Sequence, residues 1–300
     1  MIHTIDLHFL DNTETIACFL IDSKDGLILV ESGAYSTFGQ LVTEIEKLGH
    51  KLTDIKHVLL THIHFDHAGA AWAFAQQGAK IYVHPFGYKH LENPEKLWGS
   101  AKRIYGSEME RLWGDMQPIA ASQLISVENE AEIVIGERVF KAWHTPGHAN
   151  HHIAWQLEKI VFTGDVAGVQ IGQGPVVPPC PPPDIDLEKW DNSLEIIRNI
   201  NPKYLYLTHY GKIGNVENHL DRIQEKLHDY AAWVKVHLET GQNLEEMIEK
   251  FKEYVRQDLQ KYGLDPHALK RYEAANPAFM SVTGLVRYWT KKQEESKINS

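Results

Sequence analysis

One short segment, HIHFDH at residues 62–67, constrains this chain more than any other feature. It supplies four side chains that can bind a metal ion, between an apolar strand pattern and an alanine-rich helix pattern. Side chains alternate along a strand, so His62 and His64 project to the same side, whereas Asp66 and His67 come from the turn into the helix. The segment can therefore serve two different metal ions, and its imidazole and carboxylate groups suit zinc, iron and manganese.

Three further motifs place metal-binding side chains at the ends of predicted strands. TPGH covers residues 145–148, TGD covers 163–165 and THYG covers 208–211. Each motif follows a segment rich in apolar and β-branched residues, which is the pattern of a buried strand. Strand ends are where α/β folds place their binding sites, so the histidine or aspartate of each motif is a candidate for the same metal centre.

Strand and helix patterns alternate along most of the chain, which predicts a layered α/β domain. Predicted strands cover residues 14–21, 27–30, 55–60, 81–83, 123–126, 131–135, 138–143, 152–157, 159–162 and 204–207, and predicted helices cover 38–48, 68–77 and 187–200. A helical pair interrupts this order as an insertion at about 86–118, and prolines predict a loop at 174–183. Only helical patterns remain from about residue 215, with starts near 216, 243 and 276. We therefore divide the chain into a domain at 1–212 and a helical region at 213–300.

The four motifs together resemble those of the metallo-β-lactamase superfamily, in the same order, and the resemblance covers roughly residues 1–212. It implies an αββα sandwich, here with a C-terminal helical extension, and a dinuclear metal centre in the cleft. Within the superfamily, the chain resembles the glyoxalase II and lactonase-like hydrolases more than the true β-lactamases, which often use a cysteine at the second metal, because the motifs here contain Asp165 and no cysteine. Carried over by position, the resemblance implies His62, His64 and His148 at one metal, Asp66, His67 and His209 at the other, and Asp165 as the bridge.

The resemblance also implies a hydrolase that uses two divalent metal ions, with zinc as the first expectation and iron or manganese as alternatives. Two metals about 3.5–4 Å apart can hold a bridging hydroxide at neutral pH, since a bound metal lowers the pKa of water to about 7. This nucleophile would attack a small ester, lactone or thioester. Asp66 would take part in catalysis as well as in metal binding, by steering the proton of the nucleophile.

Three other functions remain open at this stage. Persulfide dioxygenases share the fold and use one iron, bound at the positions of His62, His64, His148 and Asp165, whereas the complete second set of ligands here favours hydrolysis. A phosphodiesterase is less favoured, because the basic residues of the insertion are few and are mixed with acidic ones. A non-catalytic ligand-binding protein is disfavoured by the intact ligand set.

Several residues beside the ligand set are candidates for supporting roles. Many relatives carry an aspartate where this chain has Glu31, in a position that contacts the ligands. His151 and Tyr210 are candidates to contact the substrate or the ligands, with packing beside the site as the alternative for Tyr210. Trp98 and Trp113 lie in the insertion, which we expect to roof the cleft together with the proline loop and part of the C-terminal helices. These added segments would select a substrate with an apolar part, because the motifs supply only the shared chemistry.

The balance of charge excludes other classes of partner. The chain has 30 Lys and Arg against 40 Asp and Glu, a net charge of −10, which disfavours binding to nucleic acid or an anionic membrane. No apolar run approaches the ~18 residues of a membrane-spanning helix, and the N-terminal sequence lacks the pattern of a secretory signal. Two cysteines cannot form a disulfide framework. We therefore expect a cytoplasmic enzyme with a small-molecule substrate, as a monomer or a homodimer.

Overall fold

The computed structural model describes residues 1–298. Its strands are β1 (Ile2–Asp6), β2 (Ala17–Ile21), β3 (Leu27–Val30), β4 (Ile55–Leu59), β5 (Lys80–Val83), β6 (Leu124–Ser126), β7 (Glu132–Ile135), β8 (Arg138–His144), β9 (Ile153–Leu157), β10 (Ile160–Gly164), β11 (Tyr204–Leu207) and β12 (Gly211–Ile213). Its helices are α1 (Phe38–Lys47), α2 (Phe65–Ala68), α3 (Ala71–Gln76), α4 (Pro85–Glu92), α5 (Glu95–Tyr105), α6 (Met109–Trp113), α7 (Leu187–Ile200), α8 (Val216–Glu239), α9 (Leu244–Gln260), α10 (Pro266–Ala275) and α11 (Ala278–Ile298). The predicted helical region extends to residue 300, and residues 299 and 300 lie outside the described part.

The strands form two mixed sheets of six strands each. The first sheet runs in the order β1 to β6, antiparallel over its first three strands and parallel from β3 to β6. The second runs in the order β12, β11, β10, β9, β8 and β7, and its only parallel pair within the described residues is β10 with β11. Parallel strands need crossover connections, and helices supply them between β3, β4 and β5.

A shared apolar core holds the two sheets face to face. Phe19 of the first sheet lies 5.3 Å from Phe162 and 5.4 Å from Tyr206 of the second, measured between ring centroids. Trp155 is fully buried, and its indole N–H donates to the carbonyl oxygen of Leu60 at 2.9 Å, across the two sheets. A buried polar group needs such a partner, so this bond fixes the relative position of the sheets beside the end of β4.

Helices cover the outer face of each sheet and complete an αββα sandwich, which confirms the fold class expected from the sequence. Side chains from α1 to α6 share one buried cluster with the first sheet, and those from α7 to α11 share another with the second. The helices after residue 213 therefore bury their apolar faces on the sandwich itself. Within the described residues, no helix is both long and apolar enough to cross a bilayer.

The insertion contains three helices where the sequence predicted a pair. Pro94 separates α4 from α5, and Gly106 ends α5 with a φ of 55°, a conformation that favours glycine. The strand expected from residue 14 begins only at Ala17, because Glu14 also has a positive φ and belongs to an irregular loop. The strands β1 and β12 and the helix α10 lack a specific prediction, although Asp265 caps α10 through the N–H of Ala268.

The C-terminal helices clamp the proline-rich loop against the sandwich. The backbone N–H of Cys180 donates to Ser281 Oγ at 3.2 Å, and the side-chain amide of Asn276 donates to the carbonyl oxygen of Pro178 at 3.0 Å. Gly284 permits this close packing, since a side chain there would overlap the carbonyl oxygen of Cys180. The position of the loop thus depends on the start of α11.

Candidate metal centre

Seven metal-binding side chains meet at one end of the sandwich, where four strands end. They come from the segment after β4 and from the residues that follow β8, β10 and β11. Their ligand atoms form two groups, and within each group the atoms lie within 4.8 Å of one another. The first group comprises His62, His64, His148 and Asp165, and the second comprises Asp66, His67 and His209. The structure thus brings together the whole set that the sequence predicted, in the two sets that the resemblance implies.

In the first group, three imidazole nitrogens converge on one point. His64 Nδ1 lies 2.9 Å from His62 Nε2 and 3.1 Å from His148 Nε2. A neutral imidazole offers one N–H and one lone pair, so His64 Nδ1 can share a proton with only one of these neighbours. Asp165 Oδ2 completes the group at 3.3 Å from His148 Nε2. A cation among these lone pairs would satisfy all of them at once.

In the second group, two carboxylates face two imidazoles. His67 Nε2 lies 3.2 Å from Asp165 Oδ1, and His209 Nε2 lies 3.4 Å from Asp66 Oδ2 and 3.5 Å from Asp165 Oδ1. Asp165 therefore directs one oxygen to each group. This is the arrangement that a carboxylate needs in order to bridge two metal ions.

Three buried atoms at this point make no hydrogen bond. They are His67 Nε2, His209 Nε2 and Asp165 Oδ1. Buried polar atoms are nearly always satisfied, so unsatisfied atoms that face one another indicate a missing partner. Nitrogen and carboxylate oxygen are the donors that divalent zinc, iron and manganese accept, so the residues fit a metal centre.

Hydrogen bonds behind the site hold each of three histidines in the form that can bind a metal. In His148 the Nδ1–H donates to the carbonyl oxygen of Pro179 at 2.8 Å, and in His209 it donates to the carbonyl oxygen of Thr15 at 2.6 Å. In His67 the Nδ1–H donates to Glu31 Oε1 at 2.9 Å. Because Nδ1 carries the proton, the lone pair of Nε2 points into the site. Such partners fix both the tautomer and the orientation of a metal-binding imidazole.

Glu31 is the centre of this supporting network. Its carboxylate accepts hydrogen bonds from the hydroxyl and backbone N–H of Thr61, from the hydroxyl of Thr208 at 3.1 Å and from His67. The Thr61 hydroxyl in turn lies 3.0 Å from His62 Nδ1, so Glu31 supports both groups. It is fully buried and its φ of 67° is unusual for a residue with a side chain. Glutamate thus fills the position where the resemblance implies an aspartate.

Burial and charge set the protonation of the first group. Burial lowers the pKa of His62 well below its usual value and that of His64 to about 3, and the neighbouring histidines add to the effect. Burial also lowers the pKa of His148, against the opposing charge of Asp165. These imidazoles are therefore neutral at neutral pH, which leaves their lone pairs free to bind a cation.

The second group is rich in negative charge. Burial alone would raise the pKa of Asp66, but His67 and His209 reverse this and lower it to about 2. Burial would likewise lower the pKa of His67, but the carboxylates of Asp165, Asp66 and Glu31 outweigh it and raise that pKa well above its usual value. The carboxylates are ionised, and they favour a second proton on His67 at Nε2; a metal cation bound here would displace that proton and use the lone pair.

A cavity of about 700 Å³ opens onto the centre. His64, Asp66 and Asp165 lie at one end, and most of the remaining wall comes from the insertion, the proline loop, the end of α10 and the start of α11, with Phe9 and Leu10 from the loop before β2. Most of these side chains are apolar: Phe9, Leu10, Leu97, Ile104, Leu112, Trp113, Pro181, Pro182, Phe279 and Met280. The insertion, the loop and the C-terminal helices thus meet over the site, as expected. No sequence pattern predicted that the loop before β2 would form part of the cavity wall.

The structure separates the two candidate tryptophans. Trp113 lines the cavity and stacks on Phe9, with 5.6 Å between ring centroids. Among the described residues, Trp98 is not part of the cavity wall, and it packs edge-on against Phe65 at 5.7 Å. Tyr105 of the insertion also lines the cavity.

The structure also places the candidates His151 and Tyr210, and it shows a role for His152 beside them. His151 lines the cavity, and its Nδ1 accepts the backbone N–H of Ile63 at 3.4 Å. His152 is buried behind the site, where its Nε2 accepts the N–H of Asp165 at 3.3 Å, so it holds Asp165 in place. Tyr210 packs against the core between the sheets, and burial together with the charges of Asp6 and Glu14 raises its pKa.

Comparison with known proteins agrees with this geometry. The sequence profile of the metallo-beta-lactamase superfamily matches residues 12–209, which include all seven converging side chains. The chain belongs to this superfamily. Among curated members, it is 31% identical over 188 residues to a metallo-beta-lactamase fold-containing protein of Sulfurisphaera tokodaii, across 58% of this chain and 69% of that protein. It is 27% identical over 154 residues to a hydroxyacylglutathione hydrolase of Shewanella halifaxensis, across 51% of this chain and 47% of the relative.

Other members of the superfamily extend the comparison. The chain is 28% identical over 164 residues to an N-acyl homoserine lactonase of Bacillus cereus, across 47% of this chain and 57% of that enzyme. Among solved structures, a metallo-beta-lactamase family protein of Thermus thermophilus superposes with a TM-score of 0.67 at 20% identity, across 97% of this chain and 94% of that protein. At this identity the superposition shows the fold alone. The fold likeness includes the region of the C-terminal helices.

Proposed function

We propose that the protein is a hydrolase with a two-metal centre, acting on a small carboxylic ester, lactone or thioester that has an apolar part. The observation that carries the proposal is the position of Asp165, which directs one oxygen to each of two groups of metal-binding side chains at the end of an apolar cavity. The curated relatives include an N-acyl homoserine lactonase and a hydroxyacylglutathione hydrolase. Zinc is the first candidate for both ions.

Each part of the site has a defined task in this reaction. Two divalent ions held here would activate water at neutral pH and polarise the scissile carbonyl group. Asp66 stays ionised and its side chain is 21% exposed, so its carboxylate can accept a hydrogen bond from the attacking water and direct it. His151 faces the same space and can contact the substrate beside the centre.

The cavity indicates the chemical class of the substrate. Its apolar wall would bind an acyl chain, at roughly 25 cal/mol for each Å² of apolar surface removed from water. Its charged side chains are of both signs, and Arg111 is paired with Glu108 at 2.7 Å. Such a wall offers no concentrated positive charge to a polyanion, which favours a carbonyl substrate over a phosphodiester.

The test combines metal analysis with a panel of substrates. Protein stripped with a chelator and reloaded with zinc should bind two ions per chain and hydrolyse p-nitrophenyl octanoate, a lactone or an acyl thioester. His64→Ala should abolish turnover, whereas His90→Ala, at another histidine of the cavity wall, should retain it. Saturation at one ion per chain would contradict the two-metal centre. Oxygen consumption with a persulfide by an iron-loaded protein would instead support the dioxygenase alternative, and faster turnover of bis-p-nitrophenyl phosphate would exclude the carbonyl class.

A further inference from the structure

Tyr105 brings a polar group into an otherwise apolar part of the cavity wall. It is the last residue of α5, and it lines the same cavity as Asp66 and Asp165. Its ring is held edge-on between Trp113, at 5.3 Å, and Phe279 of α11, at 6.3 Å. The ring is therefore fixed from both sides, and the hydroxyl has a defined position.

The hydroxyl of Tyr105 has only a weak partner in the protein. Within the described residues, its one hydrogen-bond contact is to Met280 Sδ at 3.7 Å. A thioether is a weak acceptor, so this contact does not replace the hydrogen bonds to water that a buried phenol gives up. A phenol has a pKa of about 10, and burial raises that of Tyr105 further, so the group keeps its proton and acts as a donor.

We propose that Tyr105 is a substrate-binding residue, whose hydroxyl leaves Met280 and donates a hydrogen bond to the carbonyl oxygen of the substrate beside the metal centre. This inference rests on the proposed function, because it assigns the donor for that reaction. A donor aimed at an oxygen that gains negative charge stabilises the transition state, and the loss of one such donor lowers kcat by about 100-fold or more. The donor belongs to the insertion, so the insertion takes part in the reaction and does not only cover it.

Three variants separate this role from a structural one. Tyr105→Phe removes the hydroxyl and keeps the ring packing, and we expect a fall in kcat of about 100-fold with little change in KM. Met280→Leu removes the sulfur and leaves the hydroxyl and an apolar side chain in place, so any fall in its kcat should be far smaller than that of Tyr105→Phe. Tyr88→Phe is the control, since this tyrosine of α4 donates to Ala121 O outside the cavity. If the hydroxyl served only to join the insertion to α11, Tyr105→Phe and Met280→Leu would lower activity equally, and the proposal would be wrong.

Binding of octanoate, a product-like carboxylate, tests the same contact without turnover. Calorimetry on the zinc-loaded protein should show binding that is about tenfold weaker in Tyr105→Phe, because a hydrogen bond to a charged group is lost. A parent protein that binds octanoate but hydrolyses no member of the panel would contradict the proposed function, and the dissociation constants would still decide the role of Tyr105. Equal binding by the parent and Tyr105→Phe would overturn the inference, as would a parent that does not bind octanoate.

Discussion

Replacing Glu31 by Gln tests whether the buried carboxylate behind the site sets its affinity for metal. Oε1 accepts from the side chains of Thr61, His67 and Thr208, and Oε2 accepts from the backbone N–H of Thr61. The side-chain amide of the introduced glutamine has one oxygen and one NH₂ group. Its NH₂ group must therefore take the place of either Oε1 or Oε2 and face the donors around that atom. In either orientation at least one N–H faces another donor, and a buried donor without an acceptor costs about 1–3 kcal/mol.

The same substitution acts on the metal through His67. The negative charge of Glu31 stabilises the proton on His67 Nδ1. Without this charge the proton can move to Nε2, where it would block the lone pair that points into the site. Changes to such supporting partners typically cost 10–100-fold in metal affinity, which corresponds to about 1.4–2.7 kcal/mol. We therefore expect the zinc dissociation constant of Glu31→Gln to rise by about 10–100-fold, with a larger effect on one ion of the pair than on the other.

Competition with a chromophoric chelator measures both dissociation constants directly. Glu137→Gln is the matched control, because Glu137 also accepts a backbone N–H, that of Lys24 at 2.8 Å, but lies on an exposed turn. Urea unfolding of the metal-free proteins should show a loss of stability for Glu31→Gln alone. Zinc affinities within threefold of the parent in a folded Glu31→Gln protein would refute the argument that Glu31 holds His67 ready to bind.

Three further predictions address the bridge, the wall and pH. Asp165→Ala should lose turnover by more than roughly 100-fold while circular dichroism shows the fold retained, and activity within tenfold of the parent would exclude a bridging role. Trp113→Leu should change the ratio of kcat/KM between octanoyl and acetyl esters by about tenfold, whereas Trp98→Leu, outside the cavity wall, should leave the ratio unchanged. Burial lowers the pKa of His219 to about 4, so between pH 6.5 and 4 the unfolded chain binds more protons than the folded chain. The free energy of unfolding therefore decreases as the pH decreases through this range. In the metal-free protein, His219→Gln should make this acid-induced decrease in the free energy of unfolding about 3 kcal/mol smaller, as measured by urea titrations at several pH values. An unchanged pH dependence would contradict the prediction.

The sequence predicted which side chains converge at the candidate site, because the information for this is local. The spacing of HIHFDH and the strand-end positions of His148, Asp165 and His209 are visible without knowledge of the fold. The strand β4 belongs to one sheet and β8, β10 and β11 to the other, so their ends meet through the face-to-face packing of the αββα sandwich that the resemblance implied. The ligand roles themselves remain predictions that metal binding will test.

The supporting contacts could not be predicted in the same way. Glu31 meets Thr208 across 177 residues of sequence. His209 is held by the carbonyl oxygen of Thr15, which the sequence assigned to a strand and which lies in an irregular loop before β2. The helices of the insertion were expected, but the break at Gly106 that ends α5 at Tyr105 depends on a backbone conformation. Contacts of this kind depend on tertiary packing, which periodicity does not describe.

The C-terminal helices contribute to the candidate site, although they supply none of the seven converging side chains. Ser281 and Asn276 bind the backbone of the proline loop, and the carbonyl oxygen of Pro179 in that loop accepts the Nδ1–H of His148. A displacement of α11 would therefore move the acceptor that sets the tautomer of a predicted metal ligand. The same helix provides Met280, the resting partner of Tyr105. One element thus connects the support of the metal centre with the wall that faces the substrate, so sequence changes in α11 can alter specificity while the motifs stay the same.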